Sequence, residues 1–129
     1  TPVVMAVRGP KAQALAGEVA DTVTFVLGPL DTRDDVADLV RDFPGGRDVE
    51  LALHVPVVGD GIANFMASAR ETHPAELHEA DSMLVLPDDP AAAIEELERR
   101  RAELGFSYVV IGADFADTMA PVVAALAGR

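Results

Sequence analysis

Short apolar runs alternate along the chain with longer stretches in which apolar residues recur every three or four positions. The run from Val3 to Val7 is typical of a strand that is covered on both faces, and the run from Thr22 to Leu27 is β-branched and aromatic. A helical stripe follows each run, so the pattern predicts two successive strand-helix units. The two stripes are Ala12, Leu15, Ala16, Val19 and Ala20, and then Val36, Leu39, Val40 and Phe43.

The second half of the chain predicts two further units. The stretch from Val49 to Val58 places apolar residues on one face and the polar Glu50 and His54 on the other, so we expect a long third strand. The run from Phe106 to Ile111 predicts the fourth strand. The helices of these units are predicted by the stripes Ala93, Ile94, Leu97 and Leu104, and Met119, Val122, Val123 and Leu126.

Several residues mark where the predicted helices begin and end. Thr32 is suited to cap the second helix, and Asp88-Asp89-Pro90 predicts the start of the third, because acidic residues favour the positive end of the helix dipole and proline fits the first turn. Gly105 predicts the end of that helix. Pro121 predicts that the last helix starts late or bends there.

An insertion interrupts the third unit between Gly59 and Pro87. Its apolar residues predict a short helix and then a small apolar segment from Met83 to Leu86. We interpret residues 1–129 as a single domain with a loop insertion at 59–87. The stripe of the short helix is Ile62, Phe65, Met66 and Ala69.

Strands that alternate with helices predict an α/β fold with a parallel sheet and right-handed crossovers. A (β/α)8 barrel uses about 31 residues for each unit, and four units in this chain use about 32, so the repeat length fits half a barrel. A doubly wound sheet fits the count as well. Its nucleotide-binding form needs a glycine-rich motif of which only Gly9 is present, and a receiver-type domain needs a carboxylate where Arg8 stands.

Composition and charge narrow the classes of partner. The chain carries 22 acidic and 10 basic residues, for a formal charge of -12, which disfavours binding to nucleic acids and to anionic membranes. It has no cysteine, which excludes disulfides and thiolate chemistry, and no apolar run of the roughly 20 residues that span a bilayer. We expect a cytoplasmic protein without nucleic-acid or membrane partners.

The junction of the first strand and its helix has the composition of an anion site. The N-terminus of a helix presents free N-H groups and a partial positive charge. Gly9 permits close approach of a ligand to the backbone, Pro10 suits the first helical turn, and Arg8 and Lys11 add two cations. The sequence therefore predicts a phosphate-binding loop, although an ordinary turn with solvated cations remains an alternative. A second loop, Leu27-Gly28-Pro29, follows the next strand and should lie beside the first.

Other polar residues give weaker indications. His54 is interpreted as a hydrogen-bonded histidine on the interior face of the barrel rather than a catalytic group. The irregular spacing of His73 and His78 among acidic residues indicates a solvated loop, so we predict no metal site. The run from Arg99 to Arg101 has acidic neighbours, which predicts an exposed, salt-bridged helix face. Asp60 and Asp114 follow strand ends and are equally suited to cap helices.

Two blocks of the sequence resemble the bacterial luciferase-like oxidoreductases, and especially their deazaflavin-dependent branch, which includes methylenetetrahydromethanopterin reductase. The first block is Val3 to Lys11 with Leu15 to Asp21. The second block is Pro87 to Pro90, Leu104 to Val110 and Ala120 to Leu126. The resemblance covers nearly the whole chain and is weakest between Gly59 and Pro87.

The resemblance implies that the chain is the second half of a luciferase-like (β/α)8 barrel, strands five to eight. In that family the loops after the fifth and sixth strands help to bind the phosphate of FMN or of the deazaflavin coenzyme F-420. Many relatives have paired glycines where Val7 and Arg8 stand here, so the choice between FMN and F-420 stays open. By position, these loops correspond to Arg8, Gly9, Pro10 and Lys11, and to Leu27 and Gly28.

The implied function is that of a flavin- or deazaflavin-dependent oxidoreductase acting on a small-molecule substrate. Most residues implicated in chemistry belong to the first half of such a barrel, so we assign no catalytic residue. Half a barrel has two free sheet edges and a bare interior face, which predicts a homo-oligomer such as a dimer, or association with an N-terminal half. The alternative is a flavin-binding or structural protein without turnover.

Overall fold

A computed structural model describes residues 1–28, 30–44, 49–63 and 73–128 of the chain. Seven strands and five α-helices are found in these residues. A short 3-10 helix, Ala113–Phe115, precedes the last α-helix. In chain order the elements are β1 (Val4–Val7), α1 (Pro10–Val19), β2 (Thr22–Phe25), α2 (Arg33–Asp42), β3 (Glu50–Val55), β4 (Val57–Val58), β5 (Gly61–Ile62), α3 (Pro74–Glu79), β6 (Val85–Leu86), α4 (Pro90–Leu104), β7 (Phe106–Ile111) and α5 (Ala116–Leu126).

The main sheet is parallel, and its strands lie in the order in which they occur in the chain. The order is β1-β2-β3-β7, and each strand is parallel to its neighbour. A helix follows β1 and β2, and α4 lies between β3 and β7, so each crossover returns the chain to the same end of the sheet. The predicted α/β fold with a parallel sheet is confirmed.

One face of this sheet forms the core of the protein. Val7, Val23, Phe25, Leu53 and Val55 point to that face and are buried. They share one apolar cluster with residues of four helices, namely Ala16 of α1, Val36 of α2, Ala93 and Leu97 of α4, and Met119 and Val122 of α5. The long helices therefore cover the same face of the sheet.

The opposite face is largely uncovered in the described part of the chain. Val4 is 67% exposed and Tyr108 is 53% exposed, and Glu50 and His54 of β3 are exposed as well. Small Ala52 is the buried exception. The prediction that the first strand is covered on both faces is wrong, because the helices pack on one side and β1 is an edge strand.

The predicted third strand is divided at Pro56. β3 ends at Val55, and β4 joins a separate small sheet in which it pairs antiparallel with β5 and parallel with β6. Proline has no backbone N-H to donate to the ladder, which explains why pairing in the main sheet stops here. The apolar segment from Met83 to Leu86 contains β6. Of the predicted short helix, Ile62 lies in β5 instead, and Phe65, Met66 and Ala69 lie outside the described residues.

The predicted helix ends agree with the structure at three positions. Thr32 caps α2 in a reciprocal box with Asp35, and the Asp89 side chain accepts a hydrogen bond from the backbone of Ala92 at the start of α4. Gly105 ends α4 in the left-handed conformation with a φ of 84°. At Pro121 the prediction of a late start is wrong, because α5 already begins at Ala116.

The buried stripe of α1 differs from the prediction. Leu15 and Val19 are exposed, at 51% and 46%, whereas Gln13 is buried together with Ala16. The helix is therefore rotated so that its smaller residues face the sheet. Leu15 and Val19 therefore leave apolar surface exposed on α1.

Candidate functional site

The two predicted loops lie side by side at the carboxyl end of the main sheet. β1 and β2 are neighbours in register, with Val7 opposite Phe25, so the residues that follow them emerge together. The N-H of Val26 donates to the carbonyl of Val7 at 2.8 Å. Arg8 Nη1 reaches across the gap and donates to the carbonyl of Val26 at 2.7 Å. The loop from Arg8 to Lys11 is thus joined directly to the loop that contains Leu27 and Gly28.

The N-terminus of α1 is open toward this junction. Pro10 is its first residue, and Gly9 precedes it with a φ of -75° that any residue can adopt. A Cβ placed on Gly9 would meet no heavy atom of the described chain within 4 Å. Glycine is therefore required at this position neither by the backbone conformation nor by internal packing. Its small size leaves room in front of the first turn.

A buried amide holds the backbone of the first loop. Gln13 Nε2 donates to the carbonyl of Arg8 at 2.6 Å, and the Gln13 side chain is buried beneath the loop. This bond crosses the first turn of α1 and restrains the chain where Arg8 leaves β1. Gln13 is a positioning residue that the apolar pattern of the sequence did not reveal.

Asp31 closes the junction between the two loops. Its Oδ2 atom accepts hydrogen bonds from Arg8 Nη1 at 2.8 Å and from the Gly28 N-H at 2.6 Å. The hydrogen bond from Arg8 is the main cause that holds the pKa of Asp31 below its ordinary value. Burial acts in the opposite direction and raises the pKa, and the hydrogen bond from the Gly28 N-H lowers it further. The carboxylate is therefore ionised at neutral pH. An anion of the chain itself lies between two of the groups predicted to bind phosphate.

Lys11 completes the positive side of the junction, two residues beyond Gly9. It is exposed at the start of α1. Arg8 is also accessible, with a side chain that is 54% exposed although it pairs with Asp31. Both cations are therefore within reach of a ligand that enters from solvent.

The polar residues of β3 lie on the uncovered face, as the alternation predicts. Glu50 accepts hydrogen bonds from the hydroxyls of Thr22 and Ser107 on the flanking strands, at 3.3 and 3.4 Å. His54 is exposed on the same face, opposite Val110 of β7. Glu50 belongs to the amino half of the strand and His54 to the carboxyl half, so they do not form one acid-base pair.

The histidines of the insertion do not gather ligands. His78 Nε2 is 2.9 Å from the carbonyl oxygen of Gly59, which ties α3 to the turn after β4. Within the residues that the structure describes, no group of three or more histidine, aspartate or glutamate side chains is arranged to hold a metal ion.

The run of arginines on α4 corrects one prediction. Arg99 is exposed, as expected, and its ion-pair partner is Glu103, but Arg100 is buried and only 2% accessible. Its guanidinium donates to Glu96 at 2.9 Å and to the carbonyls of Met83 and Val85 at 3.1 and 2.9 Å. Arg100 therefore fastens the insertion to α4, and the prediction that it lies on the solvent face is wrong.

Glu96 lies between two arginines. It accepts hydrogen bonds from Arg100 and from Arg33 at the start of α2, and Arg33 also pairs with Asp81. Burial alone would raise the pKa of Glu96, but the two arginines outweigh it and hold the pKa below its usual value. The network links α2, α4 and the insertion, and its charges neutralise one another, so we assign it a structural role.

A large groove lies apart from the two loops. It has a volume of about 720 Å³ and is formed by α4, β7 and α5, with Tyr108, Val109 and Val123 among its apolar walls. It contains no residue of the predicted phosphate loops. The groove follows the last strand of the sheet and belongs to its free edge.

The fold and the loops define a parallel α/β protein with one bare sheet face and a polar junction at the carboxyl ends of two adjacent strands. Comparison with protein-family models, with curated proteins and with solved structures gives no match. Among the described helices, none combines the length and apolar character that crossing a membrane requires.

Proposed function

We propose that this chain is the second half of a luciferase-like (β/α)8 barrel and that it binds the phosphate of FMN or of the deazaflavin coenzyme F-420. The observation that carries the proposal is the junction at the carboxyl ends of β1 and β2. There Arg8 and the Gly28 N-H converge on one carboxylate oxygen, beside the N-terminus of α1. The function is that of a flavin- or deazaflavin-dependent oxidoreductase acting on a small molecule.

The chemistry of the junction fits a phosphate monoester. Arginine donors and backbone N-H groups at a helix N-terminus are the groups that bind phosphate in proteins. The open space at Gly9 admits an oxygen close to the backbone, and Lys11 adds a mobile positive charge. The Asp31 carboxylate already shows that Arg8 and Gly28 can hold one anionic oxygen between them.

The architecture supports half a barrel over a doubly wound sheet. A doubly wound sheet places helices on both faces and changes direction at a switch point, whereas the strand order here follows the chain without a reversal. Parallel sheets are ordinarily buried on both faces. The bare face with Val4, His54 and Tyr108 corresponds to the side that the rest of a barrel would enclose.

The protein would act mainly by binding and orienting the cofactor. A bound flavin or deazaflavin supplies hydride chemistry, and the protein sets its position and electrostatic surroundings. Arg8, Lys11 and Gly28 would fix its phosphate end at the carboxyl rim, where barrel enzymes hold their ligands. Gln13 keeps the backbone of the first loop in place through its bond to the Arg8 carbonyl.

Titration with cofactors tests the phosphate site. We expect FMN or F-420 to bind, and riboflavin, which lacks the phosphate, to bind more weakly in isothermal titration calorimetry. Arg8→Ala and Lys11→Ala should each weaken FMN binding about tenfold, because each removes a charge-assisted contact. Arg99→Ala is the matched control, since it removes an exposed cation on α4.

Two outcomes of this titration would count against the proposal. The phosphate site is wrong if affinity is unchanged by both loop substitutions or if riboflavin binds as tightly as FMN. Binding without hydride transfer, after the chain is joined to a first barrel half, would instead favour a flavin-binding or structural protein.

Association is the second consequence of half a barrel. In the described residues, six of the eight exposed large apolar side chains belong to the segments that include or flank the two edge strands, and the other two, Val26 and Leu30, lie in the loop after β2. Val3, Val4, Leu15 and Val19 accompany β1 and α1, and Tyr108 and Val123 accompany β7 and α5. β1 and β7 can each extend a parallel ladder, so two copies can satisfy both edges of each other, or a first barrel half can satisfy them.

Light scattering coupled to size-exclusion chromatography tests this association. We expect a mass of at least twice that of one chain. The associated fraction should increase at high salt, because the charge of -12 on each copy is then screened. Val4→Lys should shift the protein toward a monomer by placing a charge on the β1 edge. Leu30→Lys makes the same change of charge at an exposed loop residue and should leave the mass unchanged. A stable monomer at all salt concentrations would contradict the assembly.

A further inference from the structure

The Asp31 carboxylate occupies the place where the proposed site needs a phosphate oxygen. Its Oδ2 atom receives both the Arg8 Nη1 donor and the Gly28 N-H, at 2.8 and 2.6 Å. Arg8 Nη2 lies 3.4 Å from the other carboxylate oxygen. The pair is a two-point contact of the kind that guanidinium groups also make with phosphate.

A carboxylate and a phosphate cannot share these donors without repulsion. Both are anionic at neutral pH, and like charges placed side by side at a binding site cost affinity. The side chain of Asp31 is only 16% exposed, so solvent screens its charge incompletely. Arg8 is 54% exposed, so a ligand from solvent can reach its guanidinium, whose Nη1 also donates to the carbonyl of Val26.

We infer that Asp31 is an internal competitor that holds Arg8 and the Gly28 N-H in the unliganded protein and gives them up when a phosphate group binds. This inference rests on the proposed function and adds regulation of the same site. The competition sets the affinity: only a ligand with a strong anionic group displaces the carboxylate, so weakly anionic molecules are rejected.

Asp31→Asn tests whether the Asp31 carboxylate competes with phosphate for Arg8 and the Gly28 N-H or helps the site to bind phosphate. Asparagine keeps the shape and an oxygen acceptor for the Gly28 N-H but loses the charge. We expect the variant to bind inorganic phosphate and FMN about tenfold more tightly than the unmodified chain in calorimetry. Riboflavin binding should not change, because riboflavin carries no phosphate.

Asp34→Asn is the matched control for net charge. Asp34 is an exposed aspartate in the first turn of α2, and its substitution should leave phosphate affinity within about twofold. Asp31→Ala is the second variant, and circular dichroism with thermal unfolding verifies that each variant is folded. In the double variant with Arg8→Ala, the gain from Asp31→Asn should disappear, because the two anions no longer compete for that cation.

The outcomes distinguish this inference from the proposed function. Unchanged or weaker phosphate binding by folded Asp31→Asn, with binding by the unmodified chain intact, overturns the competition and leaves the phosphate site standing. Equal tightening by Asp34→Asn also overturns it, because the effect would then be one of overall charge. If no folded variant binds phosphate or FMN at millimolar concentration, the phosphate site and the competition are both wrong.

Discussion

Arg100→Ala is expected to lower the free energy of unfolding by about 3 to 5 kcal/mol, the range measured when one partner of a buried ion pair is removed. The substitution deletes the donors to the buried carbonyls of Met83 and Val85 and leaves Glu96 with Arg33 alone. It also opens a cavity at a position that is 2% accessible. Small domains are typically stable by about 5 to 15 kcal/mol, so the loss is a large fraction of the total.

Urea unfolding followed by circular dichroism measures this effect. Arg99→Ala is the matched control, because it removes the same residue type one position earlier in the chain. Its side chain is about half exposed and pairs with Glu103 at the surface, so we expect a loss of about 0.5 kcal/mol or less. Equal midpoints for the two variants would show that the Arg100 network does not stabilise the fold.

The helical spacing places Arg100 on the buried face of α4, but the charged residues beside it favoured the interpretation of an exposed face. Residues 93, 97, 100 and 104 are spaced by four, three and four, so Arg100 lies on the same face as Ala93, Leu97 and Leu104. The adjacent arginines and glutamates suggested a solvated face instead. The decisive contacts are carbonyls of residues 83 and 85, and their position depends on how the insertion folds, which local periodicity does not encode.

The sheet itself was predictable because its determinants are local. Each βα unit carries its own apolar strand and helical stripe, and two of the helices also carry a side-chain cap, at Thr32 of α2 and Asp89 of α4. Parallel neighbours bring their carboxyl ends together, so the adjacency of the loops after β1 and β2 follows from the order of the units. Which strands are neighbours was a harder question, because half a barrel and a doubly wound sheet share the same repeat.

The details of the loop junction were not predictable to the same degree. The sequence indicates Arg8 as a cation for a phosphate, or a solvated one, whereas its partner in the structure is Asp31, 23 residues away in the sequence. Nothing in the local pattern around either residue indicates the pair. In α1, alanines occur on more than one face, so spacing alone could not decide that Gln13 would be buried and Leu15 exposed.

Gly59→Ala is expected to destabilise the fold by about 2 to 4 kcal/mol, because backbone strain and steric overlap act together there. Gly59 has a φ of 57°, a conformation that disfavours residues with a side chain. An added Cβ would lie 2.7 Å from Asp88 Oδ2 and 2.8 Å from Asp88 Cβ, so the chain before α4 must move. The carbonyl of Gly59 also forms a hydrogen bond with His78, so the movement would disturb the attachment of α3.

Two other glycines separate strain from overlap in the same unfolding experiment. Gly105→Ala has strain alone, since its φ is 84° but the nearest atom to an added Cβ is Leu51 Cδ1 at 3.8 Å; we expect a loss of about 1 kcal/mol. Gly9→Ala has neither, so its free energy of unfolding should change by no more than about 0.5 kcal/mol. We predict that the loss of free energy of unfolding decreases in the order Gly59, Gly105, Gly9. If the Gly59 variant loses no more than the Gly105 variant, the contact with Asp88 relaxes at little cost. Because Gly9→Ala leaves the fold intact, any loss of FMN affinity in that variant reports on the approach of the phosphate to the backbone rather than on stability.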